Sequence, residues 1–300
     1  MRASIGIAVL AVGITGCYAS NNAYPNIAPQ AWGEVKPKAQ KASGVMASKW
    51  VNRKASADNL IDRGGEVLPS TTTYAVWWGD RSRFPSDAVA GMEAFLTGLD
   101  GSRYLAVADQ YVGKQTRAPF AGHIFDGSAA PTTSPSTDTI VGRVCDLLAA
   151  TGMTPSPTAL YLVFTDTFPP EDMFCAWHDG GRCPNGTPIH VAYLPNGGLV
   201  DFCDPGNQFA CNTLSRGTRI LANVTAHEIL EAITDPNGDG WVDRDGEEIA
   251  DKCAWTFDSC VALGQVNWQV QREWSNSAGG CVQQQSSGVA SRWCLVFHSA

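Results

Sequence analysis

The sequence has no CxxC pair, no excess of basic residues, no G-x-S-x-G and no phosphate-binding glycine loop. The first absence speaks against a zinc ribbon, whose thiolates also favour reducing compartments. Missing G-x-S-x-G removes the serine-hydrolase elbow, and the missing glycine loop removes P-loop chemistry. Of the 21 Lys and Arg, Arg2 and seven in 21–70 lie outside the C-terminal 230 residues. Residues 71–300 therefore carry 13 basic and 25 acidic side chains, a balance of −12. Such a surface repels phosphate backbones, so nucleic acid is excluded as a partner; a cation or a neutral ligand fits better. Past the first residues, no apolar run is long enough to span a bilayer.

What is present begins with a leader. Met1-Arg2 is followed by the apolar run 5–14 and by Ile14-Thr-Gly-Cys17. That tetrapeptide resembles the lipobox of bacterial lipoproteins, in which the cysteine is acylated and becomes the N-terminus. The expectation is a signal peptide over 1–17, a lipid on Cys17 and an exported, membrane-anchored protein in the periplasm or at the cell surface. The alternative is an ordinary signal peptide cut near Ala19 or Ser20, with Cys17 discarded and the protein secreted. Residues 18–70, rich in Pro, Ala, Asn, Ser and Lys without a persistent apolar period, read as a flexible tether.

Ten cysteines are present, and eight fall in 175–294. In an exported chain that clustering predicts a disulfide framework in the C-terminal half. The candidates are Cys175, Cys183, Cys203, Cys211, Cys253, Cys260, Cys281 and Cys294, with connectivity open and neighbour-to-neighbour pairing the simplest guess. Cys145, inside a helical pattern, reads as a buried free thiol.

Periodicity places strands at Thr72–Trp78, 120–125, 160–165, 189–194, 266–273 and 293–297. Helices are expected from 86 to 99, over 102–112, 138–150 and 218–234, with a loop carrying Cys175, His178 and Cys183 between two of the strands. Over 71–300 this is one α+β domain with a mixed sheet and packed helices, zincin-like or three-layer α/β/α.

The segment TAHEILEAITD (225–235) carries the chemistry. On a helix His227 and Glu231 lie at i and i+4 on one face, with Glu228 beside them. Zinc peptidases of the HExxH type are built this way, the glutamate taking a proton from metal-bound water. Here the second ligand position is a carboxylate, giving HExxE. Thermolysin-like enzymes draw a third, acidic ligand about twenty residues on, a place filled by Asp251 or Glu248. Zinc is therefore the expected cofactor, with His227, Glu231 and Asp251 or Glu248 as ligands and Glu228 as catalytic base. The strand 189–194 is the expected edge against which a peptide lies. The bland alternative is a solvated acidic helix face.

A calcium reading overlaps. Asp235, Asn237 and Asp239 occupy positions 1, 3 and 5 of a calcium loop, with Gly240 at 6 and Asp243 at 9. Position 12 is Gly246, so the bidentate carboxylate is out of register and a plain turn competes. His178, His190 and His298 read as structural, with His178 the one able to approach the helix.

Several segments together resemble bacterial members of the EXORDIUM/phosphate-induced protein family. They are 226–255, WWG at 77–79, Gly101-Ser-Arg-Tyr104 with Gln110-Tyr111, CAWHDGG at 175–181 and QREWSNSAGGCV at 271–282. The resemblance covers about residues 70–300. It implies a secreted, envelope- or wall-associated protein, since plant members are growth-related wall proteins without established catalysis. Plant members lack the pair matching His227 and Glu228, so the resemblance points to a metal site kept in the bacterial branch. Two functions follow: an exported zincin-like metalloprotein, possibly a peptidase, or a non-catalytic envelope protein that binds polysaccharide through Trp241, Trp255, Trp268 or Trp274.

Overall fold

The computed structural model describes residues 45–47 and 57–285. Chain order runs β1 (Val45–Ala47), β2 (Ile61–Asp62), β3 (Thr72–Trp78), α1 (Ala88–Leu99), α2 (Asp109–Val112), β4 (Phe120–Asp126), α3 (Thr137–Thr151), β5 (Ala159–Thr165), β6 (Phe174–Arg182), β7 (Pro188–Leu194), α4 (Arg216–Thr234), β8 (Trp241–Val242), β9 (Val261–Leu263), β10 (Val266–Trp268), β11 (Glu273–Ser275) and β12 (Gly280–Val282). The class is α+β. Six strands form one mixed sheet in the order β1-β6-β7-β5-β3-β4. β4, β3, β5 and β7 are mutually parallel, while β6 runs antiparallel to β7 and β1 antiparallel to β6.

The layering follows from crossover handedness. From β3 the chain steps outward to β4 through α1, then back across β3 to β5 through α3. Right-handed crossovers in opposite directions put their helices on opposite faces. α1 and α4 accordingly share one core with Trp77, Leu162, Phe164 and Ala192. α3 shares the other with Val76, Tyr161, Val163, Val191 and Tyr193. β5 is buried at every position, as a strand covered on both faces must be. Close approach is built in at Gly91, where a Cβ would lie 2.6 Å from Thr218 Cγ2, so α1 can pack directly on α4.

Two expectations about secondary structure are corrected. The segment with His178 is a strand, β6, rather than a loop; its two glycines and cysteine masked the pairing with β7. β7 is consequently an interior strand, and β6 holds the place nearer the edge expected for 189–194. The strand expected over 266–273 divides into β10 and β11, and the helix expected over 102–112 is a 3-10 turn (Leu105–Ala108) running into α2.

The tether is also shorter than expected. β1 extends the main sheet, β2 pairs with β8, and Leu60 and Leu68 are buried. Pairings of two or three residues leave no periodicity in a polar sequence. Cys17, Cys294, His298 and the strand expected over 293–297 lie outside the described residues.

Among the described residues four disulfides form: Cys145–Cys183, Cys175–Cys203, Cys211–Cys260 and Cys253–Cys281. Neighbour-to-neighbour pairing is overturned, and Cys145 is bonded rather than free. The reason is tertiary: α3 lies against β6 and β7, which brings Cys145 to the turn where β6 ends. Among the described residues no helix is long and apolar enough to cross a membrane.

Candidate metal centre

α4 starts at Ser215, whose hydroxyl accepts the Thr218 N–H. Asp87 at the head of α1 reinforces this start, accepting from the Ser215 N–H and from the hydroxyls of Ser215 and Thr218. The helix is then buried on all sides: apart from Arg216 and Arg219, every residue from Gly217 to Thr234 is inside. The solvated-face alternative therefore fails. His227, Glu228 and Glu231 each have 0% exposure.

The i, i+4 pair meets as its spacing requires, with His227 Nε2 3.1 Å from Glu231 Oε1. Asp251, in the turn after β8, brings Oδ1 to 3.8 Å from His227 Nε2. Its backbone N–H donates to Glu231 Oε1 at 3.0 Å, tying the turn to the helix. The three residues named for a first ion thus converge. His227, Glu231 and Asp251 offer one ligand atom each, all within 4.8 Å of one another.

His178 of β6 belongs to the same cluster, against its structural reading. Its Nε2–H donates to the Asp235 carbonyl at 3.0 Å, which assigns the proton because a carbonyl can only accept. Nδ1 then faces Glu228 Oε2 at 3.1 Å and Glu231 Oε2 at 3.7 Å. His178, Glu228 and Glu231 form a second group of three with donor atoms within the same 4.8 Å. Glu248 brings Oε1 to 3.7 Å from His178 Nε2. The sequence signal that could have found His178 is the hairpin partner: Trp177 and His178 fall opposite Tyr193 and Ala192 of β7.

The electrostatics are one-sided. Burial pushes Glu231 up to about 8, and raises Glu248 well above the carboxylate range with neighbouring Glu231 and Asp235 adding to it. His227 is lowered by burial, against the opposing pull of Glu228 and Asp251. Neither ring nitrogen of His227 makes a well-formed hydrogen bond, and Glu231 Oε2 and Glu248 Oε1 have no hydrogen-bond partner. Leaving such groups buried and uncompensated costs several kcal/mol per ion, so they hold protons or a cation. Lys252, the buried cation next along the chain, is 2.7 Å from Asp243 and stacks over Trp274. A further acid the sequence reading missed is Glu273 of β11. It is buried, raised well above its ordinary value by burial first, and accepts from the Tyr104 hydroxyl at 2.5 Å.

The donors of the expected calcium loop point elsewhere. Asp235 Oδ1 accepts from the Gly240 N–H and Asn237 donates to Glu66. Asp239 serves through its backbone carbonyl, which accepts from Gly65. Asp243 Oδ2 pairs with Lys252 while Oδ1 accepts from the backbone of Asp245 and Glu247. The turn is held by hydrogen bonds within itself and to Glu66, Gly65 and Lys252, while Asp235 Oδ2 has no hydrogen-bond partner.

Compared with known proteins, the chain matches no family model, no curated protein and no solved structure.

Proposed function

We propose that this chain is an exported metalloprotein of the zincin-like kind that uses a divalent ion to hydrolyse polypeptide. The observation that carries the metal reading is the buried set His227, Glu231 and Asp251, in which the His227 imidazole makes no well-formed hydrogen bond and Glu231 Oε2 has no hydrogen-bond partner. Mixed nitrogen and oxygen donors suit zinc or a similar first-row ion. When bound, such an ion polarises a carbonyl and makes water a stronger acid. The chain's own residues supply the rest. Asp251 N–H orients Glu231, and Glu228 stands beside the ligands with its Oε2 against His178, placed to accept and hold a proton.

Polypeptide is favoured over polysaccharide by the placement of the tryptophans; the outer side of β6 is taken by the chain's own β1, with Val45 opposite Trp177. Trp268 and Trp274 are buried and Trp241 and Trp255 pack half-buried on the core, which spends the side chains a sugar would stack on. Four disulfides and the leader support export, and the Ile14-Thr-Gly-Cys17 sequence supports a lipid on Cys17. Membership of the EXORDIUM/phosphate-induced protein family is part of the same proposal and rests on the motifs between 77 and 282.

Elemental analysis of the purified full-length protein tests the centre. Stoichiometric zinc or a similar ion is expected in wild type, and less of it in His227→Ala. Wild type without metal, with an unfolding curve indifferent to EDTA, overturns the reading. For the reaction, Glu228→Gln is expected to keep the ion at His227 and lose peptide hydrolysis; equal turnover by both proteins removes the catalytic part.

A further inference from the structure

We propose that the centre holds two divalent ions bridged by Glu231. The inference rests on the metal reading above and adds a second pocket made by His178 Nδ1, Glu228 Oε2 and Glu231 Oε2. The two groups of donors share Glu231, and its different oxygens make the contacts to the two imidazoles. Oε1 is 3.1 Å from His227 Nε2, and Oε2 is 3.7 Å from His178 Nδ1. A carboxylate that offers one oxygen to each side sets two ions roughly 3.5–4 Å apart, the spacing of two-metal sites.

Three further observations converge on the second pocket. Glu231 Oε2 is completely buried and has no hydrogen-bond partner, although the opposite oxygen is held by the Asp251 N–H. His178 has the orientation of a metal ligand, its Nε2–H committed to a backbone carbonyl and its Nδ1 turned toward two carboxylates. Metal-bound histidines are fixed in this manner, because the outer hydrogen bond sets the tautomer and raises the basicity of the ligating nitrogen. Donor supply points the same way. Glu228, Glu231, Glu248 and Asp251 are all buried around the His178 and His227 imidazoles, six side chains where a single tetrahedral ion takes four ligands.

The pocket's chemistry narrows the ion. Each site combines an imidazole with carboxylates, a donor set that suits zinc, manganese or cobalt and that calcium and magnesium do not prefer. With the second pocket loaded, Glu228 is a ligand, so the proton-accepting role given to it above belongs to the one-ion state.

The test uses the full chain, stripped with chelator, desalted and reloaded with manganese alone, then separately with zinc alone. Two ions per chain are expected by elemental analysis. At saturation the manganese electron paramagnetic resonance signal is expected to be that of a spin-coupled pair. His178→Gln is expected to halve the stoichiometry and restore the signal of isolated manganese. One ion per chain in wild type, with an isolated-ion signal, overturns the second pocket and leaves the single-ion centre standing. No ion in wild type overturns both. Two ions without coupling place the second one elsewhere and also overturn the bridge. Because the wild-type spectrum decides on its own, a His178→Gln chain that fails to fold does not rescue the idea.

Discussion

The two faces of the central sheet are stabilised by different means. Beneath it, α3 packs Ile140, Val144 and Leu148 onto Tyr161, Val163, Val191 and Tyr193. Its strongest charge pair, Asp126 with Arg143, sits at the rim, where the guanidinium donates to both carboxylate oxygens. Above the sheet, α4 packs an apolar core of similar character but drives His227, Glu228 and Glu231 into it. The first face leaves scattered polar atoms without a hydrogen-bond partner, among them Trp177 Nε1 and the Tyr193 hydroxyl. The second gathers buried acids and imidazoles into one cluster, so its stability depends on the protons or ions that occupy it. A polar network half satisfied is worse than none, and natural proteins keep one where a ligand finishes it.

Metal removal is the largest expected effect and the most direct way to break the comparison. Chelation should lower stability by about 4 kcal/mol if free ion stands about a thousandfold above its Kd. Amide hydrogen exchange is expected to rise first in α4 and the 247–253 segment, with α3 still protected. Equal loss of protection in α3 and α4 would show the two faces to be one cooperative unit. The bridge between α3 and the end of β6 comes next. Replacing Cys145 and Cys183 together by Ala opens a loop of 38 residues and should cost about 4 kcal/mol in the chain-entropy account, with metal content unchanged. Leu148→Ala should cost about 3 kcal/mol, since Leu148 is fully buried in the α3 core. It too should leave metal binding intact, whereas a loss of metal in this variant would couple the faces.

The smallest effects concern pH and carry opposite signs. Glu273 on the upper face has a folded pKa raised above its ordinary 4.5 by burial. The native state therefore binds the extra proton, and the stabilisation is full below 4.5 and is lost as pH rises through the raised value. Asp126 on the lower face is lowered from 3.8, because the hydrogen bonds from Arg143 outweigh the upward push of burial. Its contribution is present above 3.8 and lost as pH falls through the depressed value. Chelated protein followed by thermal unfolding should lose stability on both sides. Glu273→Gln should make the alkaline limb shallower without abolishing it, since Glu231 and Glu248 are raised by burial too. Arg143→Met should weaken the acid limb by about 1 kcal/mol, because the guanidinium is 31% exposed and solvent screens the pair. A flat alkaline limb in wild type would remove Glu273 from the account.

Much of the frame was legible. Thr72–Trp78 forms within the bounds its β-branched and aromatic run predicts, and α3 and α4 differ from expectation by one or two residues at the ends. His227, Glu228 and Glu231 fall where helical spacing puts them, and Asp251 returns to the helix as its acidic segment suggested. The role of His178 was not legible, because nothing within its own strand distinguishes a ligand from a packed histidine. Nor was the pairing of Cys145, since its partner depends on which face of the sheet α3 covers.

By itself the sequence determined the local terms: strand and helix periods, the i, i+4 pair, an acidic domain and a cysteine-rich C-terminal half. Those follow from residues within a turn or two of one another. Tertiary structure alone decided the rest. It set β6 outside β7, laid Val45–Ala47 along β6, and joined His178 to Glu228 and Asp235 across separations of 50 and 57 residues. It also decided that the helix face is buried rather than solvated. Burial is a property of what packs around a side chain, and it is burial that turns a common acidic helix motif into a cluster that must hold protons or a cation.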